Sequence, residues 1–248
     1  MIKFFRTIRQ KMLTENKVSK YFLYAIGEIV LVVIGILIAL QINNANEVSK
    51  QNRLVATYEK NLITELKVDL KNIQRLDSMV TIQRKIRVNY MLYSKKKSIN
   101  IDTLIQKMDS AKTYGVYQYN RVTYTIDDII STGKLSLFSK EKKEAILKLK
   151  DVQDYYDIAK IQEQEYFTSS NLEFERTIDL ASFLGSFYMR QSIEDKEREN
   201  WIYNIKSEQY RLFGNKTLAA IRNFNFQLGL NMGLREQSEN LLNILEND

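Results

Sequence analysis

The sequence predicts an all-α protein: one N-terminal transmembrane helix running into an antiparallel bundle of long helices. Three observations carry this. The chain has no proline and only 8 glycines in 248 residues, so few positions interrupt a helix. The stretch Tyr21–Ile42 is apolar except for Glu28 and Gln41. At a rise of about 1.5 Å per residue it reaches roughly 33 Å, enough for a bilayer core of about 30 Å. Beyond it, apolar residues recur every three or four positions, the period of a half-buried helix.

The leader comes first. Ile2, Phe5, Ile8 and Met12 share a face, with Lys3, Arg6 and Arg9 to the side. Residues 1–18 are therefore expected to be a basic segment, either an interfacial helix on an anionic leaflet or a solvated cytoplasmic tail. Ser19 is a candidate N-cap for a transmembrane signal anchor over 19–44. The Ile, Val and Leu residues between Ile29 and Ile42 favour insertion by roughly 5 kcal/mol, against about 3 for one carboxylate near the centre. No small-residue cleavage site follows the apolar run, so an uncleaved anchor is preferred to a signal peptide.

Charge sets the expected orientation. Lys3, Arg6, Arg9, Lys11, Lys17 and Lys20 precede the span, opposed by Glu15 alone. Just after it, Lys50 and Arg53 are offset by Glu47. By the positive-inside rule the N-terminus is cytoplasmic and residues 45–248 lie outside. Beyond the span 31 cations face 28 acids. The net charge of +7 therefore does not point to nucleic acid. The lipid bilayer is the first expected partner.

Tyr24-Ala25-Ile26-Gly27-Glu28-Ile29 and Val33-Ile34-Gly35-Ile36-Leu37-Ile38-Ala39-Leu40-Gln41-Ile42-Asn43-Asn44 resemble the N-terminal signature of an uncharacterised family of Bacteroidota single-pass inner-membrane proteins, a domain of unknown function. The leader, with Phe5-Arg6, Ile8-Arg9 and Asn16-Lys17, is similar too. The family pattern has Trp where this chain has Ala45. The resemblance implies a membrane anchor and a helical periplasmic domain, and no activity.

Past the span, Leu54, Tyr58, Leu62, Leu66, Leu70, Ile73, Leu76 and Val80 form a helical stripe. The spacing predicts either one helix from about Ser19 to Ser94, a rigid stalk, or a first bundle helix broken from the span near Asn43–Asn46. Lys95-Lys96-Lys97 reads as a solvated helix end. Residues 101–111 form a short helix. Residues 112–121 cross the bundle as a loop, with Tyr114, Tyr117 and Tyr119 packing their rings inward and their hydroxyls wet. Val122, Ile126, Ile129 and Ile130 begin another helix, which Gly133 closes in a left-handed turn. Ser139 caps a long helix carrying Ile146, Leu149, Val152, Tyr156, Ala159 and Tyr166 inward to about Tyr188, bent near Gly185. Glu194–Glu199 is a charged connector. Trp201, Ile205, Tyr210 and Leu212 belong to a short helix interrupted near Gly214. Leu218, Ile221, Phe224, Leu228 and Met232 face inward on the last helix, which Leu234, Leu241 and Leu245 extend with Ser238 between them.

No histidine or cysteine is present. This removes the usual general base, the thiolate nucleophile and the commonest metal ligands. Neither a cofactor nor a metal is expected, and no catalytic residue is assigned. Two acidic groups, Asp127-Asp128 and Asp151, Asp154, Asp157, lie beside lysines and read as charged surface. Glu163 and Glu165 point to different faces. The segment around Gly133-Lys134 lacks the spacing of a phosphate-binding loop.

The remaining candidates lie in the span. Glu28, Gly35 and Ala39 share one side, and Gly35-x-x-x-Ala39 is a small-residue pattern that lets helices approach closely. They are the candidates for helix–helix association, with a second copy or with another envelope protein. The alternative for Glu28 is a shallow position near the cytoplasmic interface. The function expected is a membrane-anchored, non-enzymatic interaction, scaffold or sensory module. An accessory subunit of a membrane complex acting through Glu28 is the first alternative, and a carboxylate enzyme the second.

Overall fold

A computed structural model describes residues 18–113, 117–189 and 201–247. The expected leader helix, Tyr114 with Gly115, and the Glu194–Glu199 connector fall outside them. The described elements are six α-helices and one 3₁₀ turn: α1 Val18–Ser94, α2 Ile101–Lys112, α3 Tyr124–Ser131, the turn Lys134–Leu137, α4 Lys140–Glu175, α5 Leu180–Met189 and α6 Glu208–Glu246. The all-α expectation holds. The chain divides into two units, Met1–Thr57 and Tyr58–Asp248, and α1 contributes to both.

In the first unit α1 is helical from Val18 onward, so Ser19 lies inside the helix and is not its cap. Helical structure continues through Asn43–Asn46. Of the two alternatives the unbroken helix is the one found, because nothing in that stretch removes a backbone donor or forces a positive φ. The large apolar side chains from Phe22 to Ile42 are exposed, Leu31 at 72% and Leu37 at 57%. Among the described residues α1 is the one helix long and apolar enough to cross a membrane.

The second unit is an up-down-up-down arrangement in which the second leg is broken. The chain ascends along α1 to Ser94 and turns. It then descends through α2, an extended segment, α3 and the 3₁₀ turn. Contacts mark the descent: Arg87 donates to the Thr113 carbonyl, Tyr119 to Asp69, Thr125 to Glu65, and Phe138 packs on Tyr58. Helix α4 ascends from a Lys142–Glu59 ion pair at 2.7 Å. Helix α6 returns antiparallel to it, with Arg222 beside Glu163 and Gly233 beside Val152. Lys67–Glu246 and Asp77–Asn231 tie α6 back to α1 in the same sense.

Local chemistry sets the boundaries. Asn100 accepts from the Thr103 amide and starts α2. Gly133, at φ 69°, takes the left-handed conformation after α3, as its sequence position implied. The Ser139 hydroxyl accepts from the Lys142 amide and starts α4. Two boundaries differ from expectation. Helix α4 ends at Glu175 rather than running to Tyr188. Asp179 accepts from the Ala181 and Ser182 amides and starts α5 afresh, an N-cap that overrides an uninterrupted apolar stripe. Conversely, α6 runs through Gly214 without interruption, the tertiary packing of its apolar face outweighing roughly 1 kcal/mol of glycine propensity.

The core faces agree with the stripes except where a neighbouring residue, in most cases polar, is buried instead. On α1, Leu62, Leu66, Ile73, Leu76 and Val80 are buried, but Asp69 is fully buried and Leu70 only partly. On α4, Phe167 is buried and Tyr166 half-exposed. On α6, Leu218 and Met232 are exposed, while Thr217 and Asn231 turn inward. Hydrogen bonds permit the burial of these two: Thr217 donates to the Phe213 carbonyl and Asn231 to Asp77.

Candidate functional site

The sequence-predicted association residues lie on the first unit. Seven helical residues turn about 700° and eleven about 1100°, so Glu28, Gly35 and Ala39 fall within roughly 20° of one line. Gly35 and Ala39 are exposed and Glu28 half-buried. A Cβ added at Gly35 would meet nothing within 4 Å. The described structure of this unit thus presents a small-residue face without bulk upon it.

The second unit contains a polar layer that the stripes did not reveal. Its centre is Asp69, fully buried on α1. The Tyr119 hydroxyl donates to Asp69 Oδ2 at 2.5 Å. The Tyr119 amide in turn donates to the Tyr156 hydroxyl on α4 at 3.3 Å, and the two rings meet edge-on at 5.1 Å between centroids. On either side of Tyr119 the extended segment is tied to other helices. Gln227 of α6 donates to the Tyr117 carbonyl. Gln153 of α4 donates to the Thr123 hydroxyl at 2.7 Å. Glu65 of α1 accepts from both the Thr125 amide and its hydroxyl. Residues 117–125 therefore form a strap whose polar atoms are satisfied by all three long helices.

The expectation of inward tyrosine rings holds for Tyr119. The expectation of wet hydroxyls does not: the Tyr119 hydroxyl is bonded to a buried carboxylate. Burial pushes the Asp69 carboxyl above the usual range, opposed by the Tyr119 hydroxyl and the Val122 amide. Burial and the neighbouring Asp69 push the Tyr119 phenol up as well. A phenol held so firmly to its proton acts as a donor near neutrality, so the pair serves as a tether rather than a proton relay. Tyr117, Tyr156, Lys160, Glu163, Gln227 and Leu230 line an adjoining cleft of about 30 Å³, room for roughly one water.

At the far end of α1 an aromatic cluster surrounds a lysine. Phe174, Phe183, Trp201 and Phe213 meet at centroid distances of 5.3–6.2 Å. Lys216 Nζ lies 4.6 Å from the Phe174 ring centre and 5.5 Å from that of Phe213. Burial pulls its ammonium down to about 8, with Glu175 opposing the shift.

Two members of the acidic groups singled out in the sequence are ion-paired. Asp127 and Asp154 both approach Arg121 and Lys150, which makes this cluster a balanced surface. Glu163 is buried against Arg222 at 3.0 Å, while Glu165 is exposed, in line with their different faces. Asp69 was hidden because it is one acid among many on a long helix. Its signal was its place between Leu66 and Ile73, where the three-residue step keeps it on the core side.

The description "Family of unknown function (DUF6090)" matches residues 28–173, which take in Glu28, Asp69 and the whole strap. No curated protein and no solved structure matches the chain.

Proposed function

The chain belongs to DUF6090, a family of unknown function, and from that premise we propose that it is a single-pass anchored helical module of a bacterial inner membrane. In this reading the N-terminus is cytoplasmic and the bundle periplasmic. The module works by association and not by catalysis. Its anchor pairs with a second copy or another envelope protein along Glu28, Gly35 and Ala39.

The observation that carries the reading is the span. Its aliphatic side chains point outward all around the helix. A soluble helix buries at least one such face, and a bilayer supplies the burial that the protein itself does not. The cations that precede the span support the orientation.

Topology reporters test it. An alkaline phosphatase fused after Asp248 is expected to be active and a fluorescent protein at the same place dark. The reverse pattern removes the periplasmic placement, and release of the chain by alkaline carbonate removes the anchor.

A further inference from the structure

The corner where α1 turns into α2 concentrates the charge of the domain. Residues 85–112 hold seven cations (Lys85, Arg87, Lys95, Lys96, Lys97, Lys107, Lys112) and two acids, Asp102 and Asp109. The remaining residues beyond the span hold 24 cations and 26 acids. The basic excess of the residues that follow the span is therefore this corner's alone.

The structure engages two of these groups within the fold and leaves the other five without an ion pair among the described residues. Lys112 pairs with Asp109, and Arg87 is buried. Lys85, Lys95, Lys96, Lys97 and Lys107 have no ion pair among the described residues. Two elements converge on one ring: Lys96 Nζ lies 5.1 Å and Lys107 Nζ 5.5 Å from the Tyr93 ring centre. The turn is fastened there, since the Asn100 amide donates to the Tyr93 hydroxyl at 3.2 Å. Leu92, the residue before Tyr93 in the last turn of α1, is 66% exposed. Helix-end cations alone would complement the dipole of α1. That role explains neither Lys107, which comes from another helix, nor the exposure of Leu92 in the last turn of α1.

We propose that the α1–α2 corner is a docking surface for an anionic lipid surface. Ammonium groups at a turn that also carries an exposed leucine are the combination that an acidic headgroup layer accepts: the lysines meet the phosphates while Leu92 enters the interfacial zone and Tyr93, packed on the core, holds the turn. A soluble polyanion would satisfy the lysines and leave Leu92 unused.

The test uses the full chain held in nanodiscs of phosphatidylcholine, so that the anchor is already occupied. These are mixed with large vesicles of phosphatidylcholine containing phosphatidylglycerol, and co-flotation is measured. Wild type is expected to float with the anionic vesicles and not with neutral ones. The triple variant Lys95→Gln/Lys96→Gln/Lys97→Gln is expected to lose about 100-fold in partitioning, at about fivefold for each lysine near the surface. Leu92→Asn is expected to remove the part of the binding that survives high salt. Equal flotation of the triple variant overturns the proposal. So does equal flotation with neutral vesicles, or binding to heparin without binding to vesicles. All four side chains are exposed, so unchanged thermal melts of the variants are expected to accompany the loss.

Discussion

The Tyr119 hydroxyl meets the buried Asp69 carboxylate at 2.5 Å, joining the extended return segment to the first helix at the middle of the bundle. Tyr119→Phe leaves that carboxylate without its strongest donor. A loss of about 1–3 kcal/mol in unfolding free energy is expected in urea titrations. The double variant Asp69→Leu/Tyr119→Phe removes both partners, and recovery of most of the loss is expected. Additive losses would show that the two residues act independently.

The same pair sets an acid-side dependence. The Asp69 carboxyl is raised in the folded state by burial. A raised group stabilises the fold fully below its unfolded pKa, and that contribution is lost as pH rises through the folded value. Tyr119→Phe removes a hydrogen bond that favours the charged form and so raises the group further. The variant's deficit is therefore expected to shrink as pH falls from 7 toward 4. A deficit that stays constant across this range would exclude ionised Asp69 as its cause.

Lys216 acts on the alkaline side. Its folded pKa is lowered to about 8, so its contribution to stability is present above the unfolded value of about 10.4 and lost as pH falls through 8. Wild type is expected to gain stability between pH 7.5 and 9.5, before the tyrosines titrate. Lys216→Met keeps an unbranched stem within Phe174, Phe183 and Phe213 and carries no charge. Its melting temperature is expected to be flat over that interval.

Gly133 holds φ at 69°. Gly133→Ala is expected to cost about 1–2 kcal/mol from the left-handed backbone alone, since an added Cβ meets nothing within 4 Å. A neutral result in thermal denaturation would mean that the turn relaxes.

In the span, Gly35→Leu separates facing backbones and is expected to weaken detergent-resistant association the most. Glu28→Gln weakens it by about threefold if a hydrogen bond crosses the interface. The measurement is oligomer mass by sedimentation or crosslinking. Unchanged mass in both variants would remove the association face.

Much of this was legible beforehand. The apolar run, Gly133 and Ser139 act through the chain next to them, so their roles follow from local sequence. The strap was seen only as a tyrosine-bearing loop, because its partners lie far along the chain: Asp69 is 50 residues from Tyr119 and Gln227 is 110 from Tyr117. The same holds for Asn231 and Thr217. A stripe of bulky apolar residues predicts the inward face, yet a neighbouring polar residue takes the core position when a long-range or backbone acceptor compensates its burial.

The sequence by itself determined a helical chain with one long apolar helix, because helix propensity, missing proline and hydrophobic period are properties of neighbouring residues. Only the tertiary structure decided which polar groups enter the core, where α4 stops, and that Lys96 of the turn and Lys107 of α2 meet over the Tyr93 ring. Those outcomes depend on which partners distant segments bring within hydrogen-bonding or Coulombic reach, and spacing along one chain does not encode that distance.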